Sequence, residues 1–175
     1  MKTQLETERL LLRELLPTDD VGMFELNSDP EVHRFLSNKP NVTIAESRLD
    51  IECIRKQYIE NGTGRWAVVL KETNEFIGWS GIKFIRDLIN NHQNFYEIGY
   101  RFIRKHWEKG YATEAGITFV DYAFVEMKVP ILYAYADIGN KNSRHILEKL
   151  GMNYVNSFEY DGGDEVWYEM KNPNL

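Results

Sequence analysis

Apolar positions along this chain change their spacing several times, and each change marks an element. "RLLLREL" (residues 9–15) is a short apolar run with charged ends, the pattern of a strand. "TDD" (18–20) reads as a cap leading into a helix over residues 21–27. "SDPEVHRFL" repeats that signal: Ser28 or Asp29 caps, Pro30 takes the first helical position, and Val32, Phe35 and Leu36 form an apolar stripe. Residues 43–60 set Ile44, Leu49, Ile51, Ile54 and Ile59 among charges, a long amphipathic helix that "NGTG" (61–64) ends.

Strand-like runs follow, with the pattern of an antiparallel sheet: "RWAVVL" (65–70), "FIGWSGIKFI" (76–85), "FYEIGYRFI" (95–103) and, later, "ILYAYAD" (131–137). "KETNE" between the first two is a hairpin turn, and the polar stretch 86–94 has no apolar period and reads as a loop. Ile117, Val120 and Phe124 then recur at helical spacing, and Pro130 introduces the next strand. In "NKNSRHILEKLG", Asn140 or Asn142 caps a helix, Ile146, Leu147 and Leu150 form its buried stripe, and Gly151 stops it. Two last strands, "MNYVNSFEY" and "EVWYEM", flank the turn "DGGD". The expected architecture is a mixed α/β (α+β) domain of about seven strands, mostly antiparallel and flanked by helices. It lacks both the regular alternation and the G-x-G-x-x-G motif of a dinucleotide fold.

Composition narrows the function classes. A chain of 175 residues favours one domain, and its 43% hydrophobic and 27% charged content is that of a soluble globular protein. A net charge of −6 argues against a nucleic-acid surface and suits a cationic small molecule or basic peptide better. The start has no apolar signal region, and nowhere do about 18 apolar residues run together, so neither secretion nor a membrane span is expected and the cytoplasm is. The lone Cys53 lies among apolar positions and reads as a buried structural thiol. His33, His92, His106 and His145 are scattered without metal-ligand spacing, so no metal site is expected.

"WEKGYATEA" carries the candidate chemistry. A strand ends just before it and a helix begins near Thr113, so unpaired main-chain N–H groups around Lys109 to Thr113 sit at a positive helix end, where phosphate is attracted. Gly110 permits close approach and Ala112 keeps the turn small. By itself such a junction is also an ordinary loop.

The run "YEIGYRFIRKHWEKGYATEAGITFVDYAF" with the later "ILYAYADIGNKNSRHILEKLGM" resembles the GNAT superfamily of acyl-CoA-dependent N-acetyltransferases. "ETERLLLREL", "NSDPEVHRFL" and "GWSGI" resemble its branch of RimJ/RimL ribosomal-protein N-terminal acetyltransferases, so the likeness covers nearly the whole chain. It implies acetyl-CoA as co-substrate and a sheet splayed between the fourth and fifth strands. The family's Q/R-x-x-G-x-G/A signature falls on Trp107, Glu108, Lys109, Gly110, Tyr111 and Ala112, whose main chain, with that of Thr113, would hold the pyrophosphate. Trp107 departs from the usual Gln or Arg, and Glu108 brings a negative charge close to the phosphates. The strand 97–103 would leave its neighbour at a bulge and offer Phe102 and Ile103 to the pantetheine arm and thioester, with Arg104 among the cofactor contacts. N-x-x-S falls on Asn140 and Ser143, the Asn side chain binding the pantetheine amides. Asn140 is equally a helix cap, and the two roles are compatible.

Acyl transfer needs a base for the ammonium, donors for the oxyanion and a proton or compensating charge for the thiolate. Glu97, on the strand beside the thioester, is the expected base, with a salt-bridged strand residue as its alternative role; His106 and Glu165 are weaker candidates. The helical tyrosine that serves many members as acid is replaced by Leu147, and Ser143 remains to stabilise or protonate the sulfur. The acceptor implied by the resemblance is a protein N-terminal α-amine; a polyamine, aminoglycoside or amino acid is the alternative. A non-catalytic acyl-CoA-binding module and an interaction-only domain are rival readings. Acceptor contacts are expected from the N-terminal helices, the 86–94 loop and "DGGD", with Trp66, Trp79 and Tyr160 either lining that side or in the core. Monomer and homodimer both remain open.

Overall fold

The computed structural model describes residues 4–36 and 39–175. Among these residues eight strands build one sheet: β1 (Gln4–Glu6), β2 (Leu10–Glu14), β3 (Arg65–Leu70), β4 (Glu75–Ile85), β5 (Phe95–Phe102), β6 (Ile131–Asp137), β7 (Asn153–Tyr160) and β8 (Gly163–Lys171). Spatial order follows the chain, except that β8 lies between β6 and β7. The strand beyond the expected seven is β1, three residues with a single apolar position and therefore no pattern to read. "ILYAYAD" (β6) is antiparallel only to β8; against β5 it runs parallel, because a helix carries the chain back across the sheet before it.

Helices α1 (Asp20–Ser28), α2 (Pro30–His33) and α3 (Ile44–Asn61) belong to one face, where Met23, Leu26, Val32 and Ile51 pack on Ala67, Val69 and Ile103. Helix α4 (Tyr111–Asp121), extended by a π turn over Tyr122–Glu126, and helix α5 (Lys141–Lys149) cover the other. There Phe119, Leu147 and Leu150 join Leu10, Val68, Ile98 and Leu132.

Local chemistry explains most boundaries and several departures. Thr18 to Asp20 do not cap α1 directly: a 3-10 turn, Pro17–Asp19, comes first, and the Asp19 carboxylate accepts from the Leu16 N–H and from Arg13, both at 2.8 Å. Asp29 caps α2 by accepting from the Glu31 N–H at 2.9 Å, with Pro30 in the first turn. That helix stops after His33, so Phe35 is half-buried and Leu36 exposed, not a continued stripe. Helix α3 starts at a Thr43–Glu46 capping box and ends at Gly62 in the left-handed region. Its inner face is Ser47, Ile51, Ile54 and Tyr58, while Leu49 and Ile59 face solvent. Cys53, about 200° round the helix from Ile51, is exposed and not a buried thiol. The 86–94 loop folds back through an Ile89–His92 bridge, burying Ile89. No helix among the described residues is long and apolar enough to cross a membrane.

Candidate functional site

β5 pairs with β4 without a break from Ile85↔Phe95 to Gly78↔Phe102. It pairs with β6 only at Tyr96↔Leu132 and Glu97↔Tyr133, and beyond Glu97 the two strands separate. The gap lies between the fourth and fifth of the expected strands. The expected bulge on residues 97–103 is absent from the β4–β5 ladder, and register shifts lie instead between Val68 and Val69 of β3, opposite β4, and between Tyr154 and Asn156 of β7, opposite β8. In an antiparallel ladder successive residues turn their main chain to opposite sides. The Ile103 N–H donates to the Ile77 carbonyl at 3.0 Å, so the odd positions face β4, and Ile98, Tyr100 and Phe102 face the gap. Ile103, expected to meet the pantetheine arm, is thus turned away. The Phe102 carbonyl accepts from the Trp107 indole N–H at 2.7 Å. Arg104 is exposed and lines a shallow depression with Glu25 and Asp29.

Helix α4 begins at the end of this strand. Gly110 is its N-cap, left-handed at φ 79°, and has no side chain to cap the helix. The N–H groups of Tyr111, Ala112 and Thr113 therefore have no intrahelical acceptor and no cap, which suits an anion. Glu108 also lies in the left-handed region, at φ 60°. Arg9, from the β1–β2 turn, braces the loop: it donates to the Lys109 carbonyl at 3.0 Å, pairs with Glu114 at 2.6 Å and stacks 4.5 Å over the Tyr111 ring. Burial pushes the Glu114 carboxyl up, but hydrogen bonds from the Thr7 hydroxyl, the Arg9 N–H and the Arg9 guanidinium outweigh it and leave the group below its ordinary range.

Across the gap, the Asn140 carbonyl oxygen accepts from the Ser143 N–H at 3.1 Å and caps α5, settling the choice between Asn140 and Asn142. Its amide nitrogen has no acceptor among the described residues. The Tyr100 hydroxyl donates to the Ser143 carbonyl at 2.8 Å and lies 3.2 Å from the Ser143 hydroxyl, so β5 and α5 meet across the opening through these two residues. Burial holds the Tyr100 phenol protonated, well above its ordinary pKa. Tyr100 was missed on sequence. The alternation in "YEIGY" shows which residues share a face, but one pairing partner is needed to learn which neighbour each main chain addresses. Leu147 is buried in the core and offers no proton.

The α1–α3 face of the same strands carries the charged groups. Glu97 is buried, 7% exposed, and its carboxylate pairs with the Arg65 guanidinium, which also donates to the Gly81 carbonyl at 2.6 Å. Gly99 makes room for this pair: a Cβ there would stand 2.6 Å from Arg65 Nη2 and 3.0 Å from Glu97 Oε1. Tyr135 stands near both carboxylate positions, its phenol raised by burial and then by Glu97, Tyr160 and Glu165. Glu165 faces Asp137 across the β6–β8 ladder, at the end of β6 that has parted from β5. Burial, and then the Asp137 charge, push its pKa up to about 7. A Cβ on Gly139, just past β6, would approach Phe35 to 3.4 Å, so the turn after α2 reaches over this end. His106 lies elsewhere, buried beside Glu75 at 3.5 Å. Trp66 is in the core of the opposite face, Tyr160 is exposed, and Trp79 stacks between Arg65 and Arg101 at 5.2 and 5.1 Å. Among the described residues no cluster of His, Cys, Asp and Glu could hold a metal ion.

Comparison with known proteins places this geometry. The acetyltransferase (GNAT) domain family matches residues 9–153. The chain is 36% identical to YkkB of Bacillus subtilis (strain 168), an uncharacterized protein, over 99% of this chain and 98% of that one. A crystal structure of a GNAT-family acetyltransferase from Bacillus anthracis superposes with a TM-score of 0.78 at 28% identity, covering 97% of this chain and 98% of the other. The ribosomal-protein-S5-alanine acetyltransferase of Vibrio fischeri shares the fold, with a TM-score of 0.80 at 17% identity over 99% and 98% of the two chains. With the parted strands and the uncapped helix between them, these matches make the chain a member of the GNAT acetyltransferase family, an acetyl-CoA-dependent N-acetyltransferase.

Proposed function

We propose that the chain transfers acetyl directly to a primary amine held on the α1–α3 face of the sheet, with a protein N-terminal α-amine as the acceptor that the resemblance favours. The observation that carries this reading is the β5–β6 gap ending at the glycine-capped start of α4. Acetyl-CoA supplies the thioester carbon under attack and the thiolate that leaves. The N–H groups of Tyr111 to Thr113 would hold the diphosphate, and the Asn140 amide with the main chain of Ile98, Tyr100 and Phe102 would hold the arm. The Tyr100 N–H, fixed in the strand and facing the gap, suits the role of oxyanion donor.

For the base, the site supports Glu165 over Glu97. Glu97 is committed to Arg65 and props the floor of the groove. Glu165, titrating at about 7, is matched to taking a proton from an ammonium near neutral pH. The Ser143 hydroxyl, held by Tyr100, would hydrogen-bond the departing sulfur. A small amine is the second reading, favoured by a cleft of about 350 Å³ beside this face, ample for one or two residues.

Incubation with acetyl-CoA and a panel of peptides and small amines tests the proposal, reading thiol release and the acetylated product by mass spectrometry. Amine-dependent release is expected. Coenzyme binding without it, across the panel, would instead make the chain an acyl-CoA-binding module.

A further inference from the structure

Beside the reacting face lies the cleft of about 350 Å³, lined among others by Asn27, His33, Lys39, Asp50, Trp79 and Arg101. The buried Arg65 and the half-buried Arg13 each pair with a carboxylate, Glu97 and Asp19, and the half-buried Arg55 and Arg144 donate to the Leu15 and Ile138 carbonyls. Arg101 is different. Its guanidinium donates to the Asn27 side-chain oxygen at 3.1 Å and stacks on Trp79, and among the described residues no carboxylate stands within ion-pair distance. A guanidinium carries five N–H donors, and burying one without a carboxylate is costly unless something else satisfies it.

Its neighbours hold it in place without neutralising it by direct contact. The Asn27 amide donates to Asp50 at 2.8 Å, as does that of Asn41, which turns the Asn27 oxygen towards Arg101. His33 is 6% exposed, and neither of its ring nitrogens has a hydrogen-bond partner among the described residues. Burial, and then the Arg101 charge, lower its pKa, so it offers a neutral ring with one donor and one acceptor. Burial lowers the Arg101 pKa to about 10, the Asp50 charge opposing the shift and the Arg65 charge adding to it, which still leaves the group cationic at neutral pH. The cleft thus presents Arg101 and Lys39 against Asp50 alone, a positive site in a chain of net charge −6. The overall charge suggested a cationic ligand, and the local field runs the other way.

We infer that the acceptor carries an anionic group close to its amine, and that Arg101, with His33 beside it, receives that group. This rests on the acetyltransferase reading and narrows its substrate class. Arg101 follows Tyr100, whose main chain faces the gap, so the anion site and the place where the amine must arrive are served by neighbouring residues of one strand. That adjacency suits an acceptor with its anion near its amine, the α-carboxylate of a free amino acid or an acidic side chain beside a peptide N-terminus. A polyamine would set a second ammonium against the guanidinium and be rejected.

Matched pairs test this: glycine against glycinamide, and alanyl-aspartyl amide against alanyl-asparaginyl amide, with spermidine as the cationic control. In at least one pair the anionic member should show kcat/KM about tenfold higher or more, and the pair that responds identifies the source of the anion. In Arg101→Gln that ratio should fall to about one, whereas Arg101→Lys should keep part of it. Neutral or cationic acceptors winning in both pairs, or a ratio that survives Arg101→Gln, would overturn the inference. Should Arg101→Gln not fold, the wild-type ratios decide. If no amine turns over, the transferase reading fails separately, and melting curves of the coenzyme-loaded protein with N-acetylglycine or N-acetylglycinamide decide the site. A rise specific to the carboxylate upholds it, and equal or absent shifts overturn it.

Discussion

Replacing Arg9 by alanine should weaken coenzyme binding from a residue far away in sequence. Three contacts disappear together: the ion pair with Glu114, the hydrogen bond to the Lys109 carbonyl and the stacking on Tyr111. Arg9 is 42% exposed and Glu114 19%, so the pair is screened and worth about 0.5 kcal/mol. The stacking adds roughly 0.5 kcal/mol at such an exposed site. The charged hydrogen bond adds about 1 kcal/mol after allowance for water. The total, about 2 kcal/mol, is divided between two readouts. Global stability should fall by about 1 kcal/mol, lowering the melting temperature by roughly 3 °C for a chain of this size. The rest should appear as a rise in the coenzyme Kd of about three- to tenfold, because Lys109 and Tyr111 bracket the N–H groups that would hold the diphosphate. Calorimetric titration with CoA, beside chemical denaturation of the free protein, measures the two separately. Arg48→Ala is the control: it removes an exposed pair with Asp20 on the other face of the sheet and should leave the coenzyme Kd alone. If Arg9→Ala loses stability while its Kd stays within about twofold of wild type, the brace is structural only and the reasoning fails.

Two further substitutions probe the loop and the base. Glu108 holds the left-handed region at about 1 kcal/mol or more of strain. Glu108→Gly relieves it at the expense of unfolded-chain entropy, for a net stabilisation of about 0.5 kcal/mol by denaturation. It also removes a negative charge near the diphosphate, so CoA should bind more tightly, most clearly at low salt; weaker binding would argue that the phosphates lie elsewhere. Glu165 should give the pH–rate profile an inflection near pH 7, absent in Glu165→Gln, whereas Glu97→Gln should chiefly destabilise the fold by stranding Arg65. The linked stability has a definite sign. A carboxyl raised from 4.5 to about 7 on folding stabilises below pH 4.5 and loses that contribution as pH rises through 7. Wild type should therefore lose stability against Glu165→Gln between those values, and parallel curves would remove Glu165 from the mechanism.

What the sequence discloses about this protein follows from how each part is made. The coenzyme side is built from main chain, and main-chain chemistry leaves local traces: Gly110 where a helix must start uncapped, Asn140 where one must be capped, and Gly151 where one must stop. Those residues lie within a few positions of the elements they serve, so spacing narrows them to one or two candidates each and the family resemblance singles out the Gly110 junction. The acceptor side is built from side chains that meet only in the sheet. Arg65 and Glu97 come from different strands, and Arg101 reaches Asp50 through Asn27, from three separate elements. The inner face of α3 misleads for a related reason. Ser47 and Tyr58 turn inward because Asn41 and the Leu15 and Arg65 main chain satisfy their hydroxyls, while the more apolar Leu49 and Ile59 face water. Hydropathy records what a residue is and not whom it meets. A guanidinium without a contacting carboxylate is harder still, since nothing in the sequence around Arg101 sets it apart from Arg65. A family of transferases that shares the main-chain half can therefore be recognised from sequence while its members' acceptors cannot, and the acceptor has to be sought among side chains such as Arg101 whose partner the protein itself does not provide.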